Sequence, residues 1–588
     1  MSDSITADGL FLPPPRRQSS LSGGGPPTPP EMRFMSQSIV PPAASKNLPE
    51  SALTPSSSPE NSSRRSLLRG AGRLFAAASQ SAAGTAVSVA AIAALTTRQI
   101  AHAGPSSAAD ADPGALATKL VSRTNFGVTS EEITRFNQLG YSGYLDYHLN
   151  HTAIPDTYVQ SRLAGGIAGI PALATLTMTG EQLYALANPG QQANELIEAT
   201  LIRAVYSKRQ LYERMVEFWS DHFNLDLNTG SVGTLKTLDD RDTIRANAMT
   251  TFGTLLNASI RSPAMLNYLN NDLNTRTGPN ENYARELMEL HTLSSSGGYT
   301  QADVIAVARC LTGWTRYGST STPTNLRGTF RYNASVHDTL AKVLSPVFNL
   351  SGTTSVTIPA NQPNMKDGQD VLDILVRHPR TAEFISTKLC RRFIGENCPA
   401  AVIAAVKTTY LNNGAGVVGD VKSMLRTMLA PNIVYTATPR WKRPFHLYAS
   451  ALRVLPVTIT TTSSLRTRLT RAGHLPFNWG PPDGYPDTLE YWSGQQLPRW
   501  NFGDEVLPTT ATTGSSITGV STDVGTMLAG ATTRADVMNR IDLNLFQNEM
   551  DPASKARILT YLNSTTFTQQ NRNEAVALSL MTPGFQWY

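Results

Sequence analysis

Apolar residues recur along most of this chain at the three- and four-residue spacing that places them on one face of an α-helix. The longest such segment covers residues 195–223, and similar patterns cover 301–314 and 442–455. No series of segments shows the apolar–polar alternation of half-buried strands. The sequence therefore predicts a mainly α fold, a large multi-helical domain with loop-rich stretches at 318–365 and 458–532.

The N-terminal part of the chain carries the features of an export signal. Residues 1–60 are rich in Pro, Ser and Gly, which predicts a disordered extension. Arg64 and Arg65 precede an Ala-rich run at 76–95 and a small-x-small pattern that ends at Ala103. This order is typical of a twin-arginine signal peptide. The alternative is an N-terminal membrane anchor, although so much Ala, Ser and Thr makes a poor permanent span.

These features divide the chain into a signal peptide at 61–103, a mobile leader at 104–115 and a single helical domain at 116–588. Residues 1–103 hold nine of the 50 basic and five of the 44 acidic residues, so the remaining chain has a net charge of +2. That balance gives no reason to expect nucleic acid or an anionic membrane as a partner. We expect the protein in the periplasm or outside the cell, with no stable membrane span after cleavage.

Three cysteines, Cys310, Cys390 and Cys398, limit the thiol chemistry. Cys390 and Cys398 are close enough in sequence to pair across a turn. Cys310 lies in an apolar helical pattern and is expected to be a buried thiol. No Cys-x-x-Cys motif is present, which argues against a zinc or iron–sulfur site built on thiolates.

The segment 278–293 concentrates acidic residues on one predicted helix. A Gly-Pro turn precedes this helix, and a run of Ser and Gly follows it. At about 100° per residue, Asn282, Glu286 and Glu289 fall on one narrow face, with Arg285 at its edge. This face is either a buried ion-pair network or a catalytic or metal-binding site, because grouped carboxylates shift each other's pKa values and bind hard cations.

Several motifs occur together in an order that resembles a known bacterial family. They are ERMVEFWSDHF at 213–223, NENYARELMELHTL at 280–293, LTGW at 311–314, His337-Asp338 ahead of Lys342, and KLCRRF at 388–393. Over roughly residues 115–588 the chain resembles the secreted family catalogued as domain of unknown function 1800 (DUF1800). The resemblance implies a mostly helical secreted protein, often encoded beside a second secreted protein of sulfatase-like type. It brings no established reaction.

One position departs from the pattern of that family. Many relatives have a histidine in the first helix, and this chain has Lys119 there. The departure weakens any model of a site that needs the histidine.

One candidate site would hold a divalent metal ion. Asp272 and Asn274 lie in an oxygen-rich loop, and Glu281 and Glu286 follow on the acidic helix. Together they could supply the oxygen ligands that a hard cation prefers. The alternative is structural, since Asn and Asp also cap helices and form turns.

A second candidate is a histidine–carboxylate site assembled from distant segments. Two histidines from His222, His291 and His337, with a carboxylate such as Asp338, could hold a transition metal with open positions. In a polar cleft, Glu286 and Glu289 would bind the metal or transfer protons, and His222 and His337 would complete the site. Arg285 would orient these glutamates. No His-x-x-x-His pair occurs, so any such site must be non-local.

A third candidate is acid–base hydrolysis by a carboxylate pair, such as Glu286 with Glu217 or Asp338. The aromatic residues at 479–500 would suit sugar stacking, or they pack the Pro-rich loops there. A serine nucleophile is unsupported because no Gly-x-Ser-x-Gly motif is present.

Together these patterns predict an exported protein with a polar cleft, acting as a metal- or carboxylate-dependent hydrolase on an envelope or extracellular polymer. Two alternatives stay open. The first is a non-catalytic envelope protein that binds a secreted partner or a glycan. The second is an exported metal-dependent oxidoreductase. Clustering of Glu286, His222 and His337 would favour a catalytic site, whereas an exposed apolar patch would favour binding.

Overall fold

The computed structural model describes residues 113–188 and 190–588. They form 25 α-helices and seven short strands, which confirms the mainly α prediction. The predicted disordered extension at 1–60, the predicted signal peptide at 61–103 and residues 104–112 of the predicted leader lie outside the described residues. Among the described helices, none combines the length and apolar character needed to cross a bilayer.

The first part of the domain is a series of helices that ends at the oxygen-rich loop. These helices are α1 (Pro113–Thr124), α2 (Ser130–Leu149), α3 (Thr157–Leu163), α4 (Gly180–Tyr184), α5 (Gln191–Tyr206), α6 (Gln210–His222), α7 (Val232–Leu238), α8 (Phe252–Ser259) and α9 (Pro263–Tyr268).

The middle part begins with the acidic helix. Its helices are α10 (Glu281–Glu286), α11 (Gln301–Cys310), α12 (Lys366–Arg377), α13 (Pro379–Phe393), α14 (Ala400–Leu411), α15 (Val421–Met428), α16 (Pro431–Thr436) and α17 (Pro444–Val454). Pro stands in the first turn of α13, α16 and α17, where its missing N–H costs no hydrogen bond.

The last part contains shorter helices. They are α18 (Ser463–Arg471), α19 (Leu489–Ser493), α20 (Gln496–Glu505), α21 (Val524–Met527), α22 (Arg534–Ile541), α23 (Pro552–Ser564), α24 (Gln569–Met581) and α25 (Pro583–Gln586). Four of them, α18 to α21, lie within the stretch 458–532, which is therefore more regular than the sequence suggests. Leu465 and Leu469 are buried one helical turn apart on α18 and explain why that helix forms.

The strands build three small antiparallel sheets. Strands β1 (Trp314–Arg316) and β2 (Phe330–Tyr332) pair, as do β3 (Lys342–Leu344) and β4 (Val356–Ile358). Strand β7 (Val520–Asp523) lies between β5 (Val457–Ile459) and β6 (Thr513–Gly514). Strands β2, β3 and β4 lie within the predicted insertion at 318–365, and β1 lies just before it.

The amphipathic segment 195–223 forms two helices rather than one. Helix α5 ends at Tyr206 and α6 begins at Gln210. Between them, the Asp156 carboxylate accepts hydrogen bonds from the Ser207 hydroxyl (2.7 Å) and the Lys208 backbone N–H (3.0 Å). A side chain remote in sequence thus satisfies the backbone where the helix stops.

Two hydrophobic clusters form the core of the described residues. The first contains Trp219 of α6 and Phe252 of α8. The second contains Phe445 of α17 and Leu580 of α24. Each cluster buries the apolar stripes of several helices, which is the main stabilising contribution in a fold of this type.

Candidate functional site

The acidic helix consists of α10 followed directly by a π-helical segment, Leu287–Thr292. The Asn280 side chain caps its start by accepting a hydrogen bond from the Asn282 backbone N–H. At its end, the Thr292 hydroxyl donates to the Leu287 carbonyl at 2.6 Å. A π turn contains an extra residue, and such turns are frequent at functional sites.

The two faces of this helix differ in burial. Glu286 and Glu289 are half-buried, so their carboxylates lie at the boundary between core and solvent. The opposite face packs into the first core cluster with Tyr283, Leu287, Met288 and His291. Partial removal from water disfavours the charged form of a carboxyl group at such a boundary.

Two further carboxylates, Glu289 and the exposed Asp483, lie within electrostatic range of the Glu286 carboxyl group. Partial burial raises the pKa of the Glu286 carboxyl, and the charges of Glu289 and Asp483 raise this pKa further, against the opposing effect of Arg285. Within the described part of the chain, the Glu286 carboxylate has no hydrogen bond and no ion pair. Glu286 is therefore an acid that holds its proton more strongly than an ordinary surface glutamate.

Arg285 turns away from this carboxylate group. Its Nη2 donates to the Gln301 side chain at 2.8 Å and lies 3.3 Å from the Glu281 carboxylate, one helical turn earlier. The structure thus brings Arg285 to Glu281, whereas the sequence predicts that it orients Glu286 and Glu289.

The loop 478–487 brings Asp483 to the acidic helix. The Asn224 side-chain amide donates to the carbonyls of Trp479 (2.8 Å) and Pro481 (2.7 Å). The Tyr268 hydroxyl donates to the Gly480 carbonyl. These bonds fix the loop backbone from residues that lie some two hundred positions earlier in the chain.

Gly484 allows the close approach of this loop to α6. Its φ of +79° lies in the left-handed region, and a Cβ atom there would be 2.0 Å from the Asp221 carbonyl oxygen. Only glycine fits both conditions. Next to it, the Trp479 indole N–H donates to the Asp483 carboxylate at 2.8 Å and orients this carboxylate.

Beneath the loop lies a buried network of ion pairs. Arg392 of α13 contacts Asp221 at 2.7 Å and Asp487 at 2.8 Å. Arg443 contacts Asp221 at 2.7 Å and Glu217 at 2.5 Å. Burial acts to raise the pKa of Glu217, but Arg443 and Arg392 outweigh it and the pKa is lowered. The network therefore keeps Glu217 ionised and joins α6, α13 and the loop.

A small, mostly apolar cavity lies between this network and the loop. Among its polar lining residues, Glu217, Ser220 and Asp221 belong to α6, and His474 and Tyr485 belong to the loop-rich part. Its volume is about 40 Å³.

His222 and His291 are neighbours in the core. The His222 Nε2 atom lies 3.2 Å from the His291 carbonyl oxygen, and the ring centroids are 5.9 Å apart. Burial lowers the pKa of both histidines, and the charge of Lys388 lowers it further; for His291 the pKa falls to about 3. Both rings are therefore neutral at physiological pH.

Lys388 of α13 is a half-buried amine beside these histidines. Burial lowers its pKa to about 8, although the carboxylates of Asp487, Asp221 and Asp483 act to raise it. Among the described residues, no carboxylate lies within ion-pair distance of its Nζ atom. The sequence patterns did not predict Lys388 as a site residue.

His337 and Asp338 form a separate cluster at the insertion. His337 contacts Asp367 at 3.1 Å, and Arg309 donates to Asp338 at 2.7 Å. None of their hydrogen bonds or ion pairs with described residues involves Glu286 or the other predicted members of the cleft. The structure thus brings Glu286 to Glu289 and His222 to His291, and it places His337 and Asp338 in another group.

Three of the four residues predicted to bind a metal ion are engaged by protein groups. Arg316 donates to Asp272 at 2.8 Å. The Asn274 side-chain amide donates to the Ala308 carbonyl at 2.8 Å, and Glu281 pairs with Arg285. In the described ranges, no three His, Cys, Asp or Glu side chains are arranged to hold a metal ion. The fourth, Glu286, has no hydrogen bond or ion pair with the described residues.

Sequence signals existed for some of the residues that were missed. Lys388 and Arg392 lie in the KLCRRF motif at 388–393, and Asp483 lies in a Pro-Pro-Asp-Gly turn. The sequence did not predict that Asp483 lies near Glu286, because the two residues are about two hundred positions apart in the chain. Chemically, the arrangement offers one carboxyl with a raised pKa, two further carboxylates and a surrounding set of aromatic rings.

Comparison with known proteins gives a family and no described activity. A family model described as a protein of unknown function (DUF1800) matches residues 119–587. No curated protein and no solved structure matches the chain.

Proposed function

This chain belongs to the DUF1800 family of proteins of unknown function, and we propose that it is an exported, carboxylate-dependent hydrolase. The proposed substrate is a glycosidic polymer of the envelope or the extracellular medium. The observation that carries the proposal is Glu286, a half-buried acid with a raised pKa and no ion-pair partner among the described residues.

Glu286 is suited to act as the general acid. A carboxyl group with a raised pKa keeps its proton closer to neutral pH and can pass it to the oxygen of a leaving group. Asp483, oriented by the Trp479 N–H, would accept a proton from the attacking water. Pairs of carboxyl groups with unequal environments perform glycoside hydrolysis in this way.

Aromatic rings beside the carboxylates support a sugar as the substrate. Tyr491 is 42% exposed, and its ring lies edge-on to Trp479 with centroids 5.7 Å apart. Trp479 itself donates to Asp483, so the stacking surface and the acid group adjoin each other. Rings of this kind offer apolar faces to sugar rings and polar edges to hydroxyl groups.

The experiment measures release of reducing ends from a panel of bacterial envelope and extracellular polysaccharides. Glu286→Gln preserves size and removes the acid, so we expect its rate to fall by about 10²-fold or more. Glu281→Gln is the matched control, because Glu281 lies on the same helix but pairs with Arg285 at the surface. Equal rates for the wild type and Glu286→Gln would contradict the proposal.

Export is the second part of the proposal. The pair Arg64 and Arg65, followed by the Ala-rich run, supports the twin-arginine route. Replacing both arginines with lysine preserves charge and should retain the protein in the cytoplasm, as measured by cell fractionation. Export of the double variant at the wild-type level would contradict this route.

A second candidate function, binding without catalysis, is favoured by one observation. Leu340 and Val343 of the insertion are 67% and 59% exposed, and Ile305 of α11 is 40% exposed. The strand that carries Val343 packs against α11, which carries Ile305, and contiguous exposed apolar side chains are typical of a binding surface. The partner would be the sulfatase-like secreted protein that the family resemblance implies. Loss of binding to that protein in Leu340→Glu/Val343→Glu, with unchanged hydrolysis, would assign this surface.

A further inference from the structure

Two cysteines face each other across the turn between α13 and α14. Cys390 lies in the last turn of α13 and is fully buried. Cys398 is half-buried and lies two residues before the start of α14. The backbone closes the turn through hydrogen bonds from Gly395 N to the Cys390 carbonyl (3.2 Å) and from Cys398 N to the Gly395 carbonyl (3.1 Å).

Both cysteines are thiols in the structure, and the two side chains are hydrogen-bond partners. Sulfur atoms within hydrogen-bonding range of each other, on a turn closed by backbone hydrogen bonds, need little backbone movement to form a bond. We propose that Cys390 and Cys398 form a disulfide when the folded protein meets a disulfide donor, and that this bond fixes the turn between α13 and α14. The donor is a thiol–disulfide oxidoreductase or a small disulfide such as oxidised glutathione.

The environments of the two thiols set the order of the steps. The hydrogen bond from Cys390 lowers the pKa of Cys398 although burial opposes it, whereas the same bond and burial raise the pKa of Cys390. The Cys398 thiolate therefore attacks the donor disulfide, forms a mixed disulfide and releases one donor thiol. The Cys390 sulfur then loses its proton and attacks Cys398 Sγ, which releases the second donor thiol. Two protein thiols are oxidised and one donor disulfide is reduced.

The turn closed by this bond lies next to the proposed active site. Arg392, inside the turn, holds Asp221 and Asp487. Glu396, also inside it, accepts a hydrogen bond from the Leu489 backbone N–H at 2.9 Å. Both contacts hold the end of the loop 478–487. Oxidation would thus restrain the segment that carries the loop, independently of whether that loop serves catalysis.

The test uses the purified full chain without its signal peptide, reduced and then treated with oxidised glutathione. We expect the intact mass to fall by two hydrogen atoms, with one of the three cysteines, Cys310, left for alkylation after unfolding. Tm should rise by roughly 2–3 °C, from the loop-closure entropy of a nine-residue ring spread over a large domain. Addition of a reductant should reverse the Tm change.

Two serine variants test the order of the steps. Cys390→Ser should stop at a mixed disulfide between Cys398 and one glutathione. Cys398→Ser should leave Cys390 unmodified while the protein is folded. Cys310→Ser is the control and should oxidise like the wild type. A wild-type protein that ends with glutathione on Cys398, or with three free thiols, would overturn the proposal.

Discussion

His337 and Asp367 face each other at the base of the insertion, with the imidazole Nε2 atom 3.1 Å from the Asp367 carboxylate. The other ring nitrogen, Nδ1, lies 2.8 Å from the Thr312 carbonyl oxygen. A carbonyl and a carboxylate are both acceptors, so this geometry favours a ring that carries a proton on each nitrogen. Lys342 shares the same Asp367 oxygen at 2.7 Å. The insertion is thus attached to α12 by a charged cluster.

The contribution of His337 to stability should fall as pH rises. Burial acts to lower its pKa, but the hydrogen bonds to Asp367 and to the Thr312 carbonyl, together with the charge of Asp367, outweigh burial and raise the pKa above 6.5. A group whose pKa is higher in the folded than in the unfolded state contributes its full stabilisation below its unfolded-state pKa. This stabilisation is lost as the pH rises through the folded-state pKa. We expect His337→Gln to cost about 1–2 kcal/mol near pH 6 and less above pH 8, measured by urea unfolding.

His151→Gln provides the control for this pH dependence. Burial lowers the pKa of His151 to about 4, so its ring is neutral throughout the window. The unfolded imidazole still binds a proton below its ordinary pKa of 6.5, so the cost of His151→Gln should rise from pH 6 to pH 8, in the opposite direction to His337→Gln. A cost for His337→Gln that does not fall over this range would show that His337 does not carry the second proton.

Loss of Arg392 should destabilise the protein strongly. The Arg392 side chain is 4% exposed and is bonded to Asp221 and Asp487. Arg392→Met removes a positive charge that compensates these carboxylates. We therefore expect the free energy of unfolding to fall by about 3–5 kcal/mol. The exposed pair of Arg426 with Asp146 is the comparison, and Arg426→Met should cost below about 1 kcal/mol. Thermal unfolding of both variants separates the two cases, and similar costs would argue against the network.

Gly484→Ala should displace the loop that carries Asp483. The new Cβ would lie 2.0 Å from the Asp221 carbonyl, on a backbone with a φ of +79°. We expect a cost of about 1–3 kcal/mol for the strained backbone alone and faster proteolysis of the loop. Gly480→Ala in the same loop has no neighbour within 4 Å of its Cβ and should behave like the wild type. Equal sensitivity of the two variants to a protease would refute this account.

Lys442 should make stability rise with pH. The side chain donates to the Phe585 carbonyl at 2.7 Å and to the Ser450 hydroxyl at 3.0 Å, and burial lowers its pKa to about 7. Above that pH the unfolded chain binds a proton that the folded chain does not, so folding is favoured increasingly up to the ordinary lysine value of 10.5. Calorimetry between pH 7 and 9.5 should show this slope.

Lys442→Met should remove up to about 1 kcal/mol per pH unit from that slope. Its absolute stability also changes, because Phe585 and Ser450 lose a donor, so the slope is the quantity to compare. Lys366→Met, at an exposed pair with Asp370, should leave the slope unchanged. Parallel curves of stability against pH for the wild type and Lys442→Met would mean that Lys442 is not the group that makes stability rise with pH.

The sequence predicts the fold class well because helical periodicity is a local property. The pattern in 195–223 gives α5 and α6, and the break between them depends on Asp156, which lies far away in the chain. Periodicity alone contains no information about such a contact. The helices within 458–532 were missed because they are short and polar, and tertiary packing of residues such as Leu465 stabilises them.

The candidate site was likewise predictable only where it depends on local sequence. Helical spacing places Glu286 and Glu289 on one face, and the structure has both half-buried. The carboxylate that completes the group, Asp483, comes from a loop whose position depends on Asn224 and Tyr268. Those contacts connect segments that the sequence alone does not bring together. For the same reason the sequence did not separate His337 from this group.

The π segment Leu287–Thr292 allows this helix to lose one residue without displacing its neighbours. Because its turn contains one residue more than an α turn, deleting a single residue there would leave a continuous, ordinary helix. The residues after the deletion would keep their positions about the helix axis, so the imidazole of His291 would stay next to His222. The same deletion within α10 would instead rotate everything after it by about 100°. The tolerance of this helix to a lost peptide unit therefore depends on where the unit is removed.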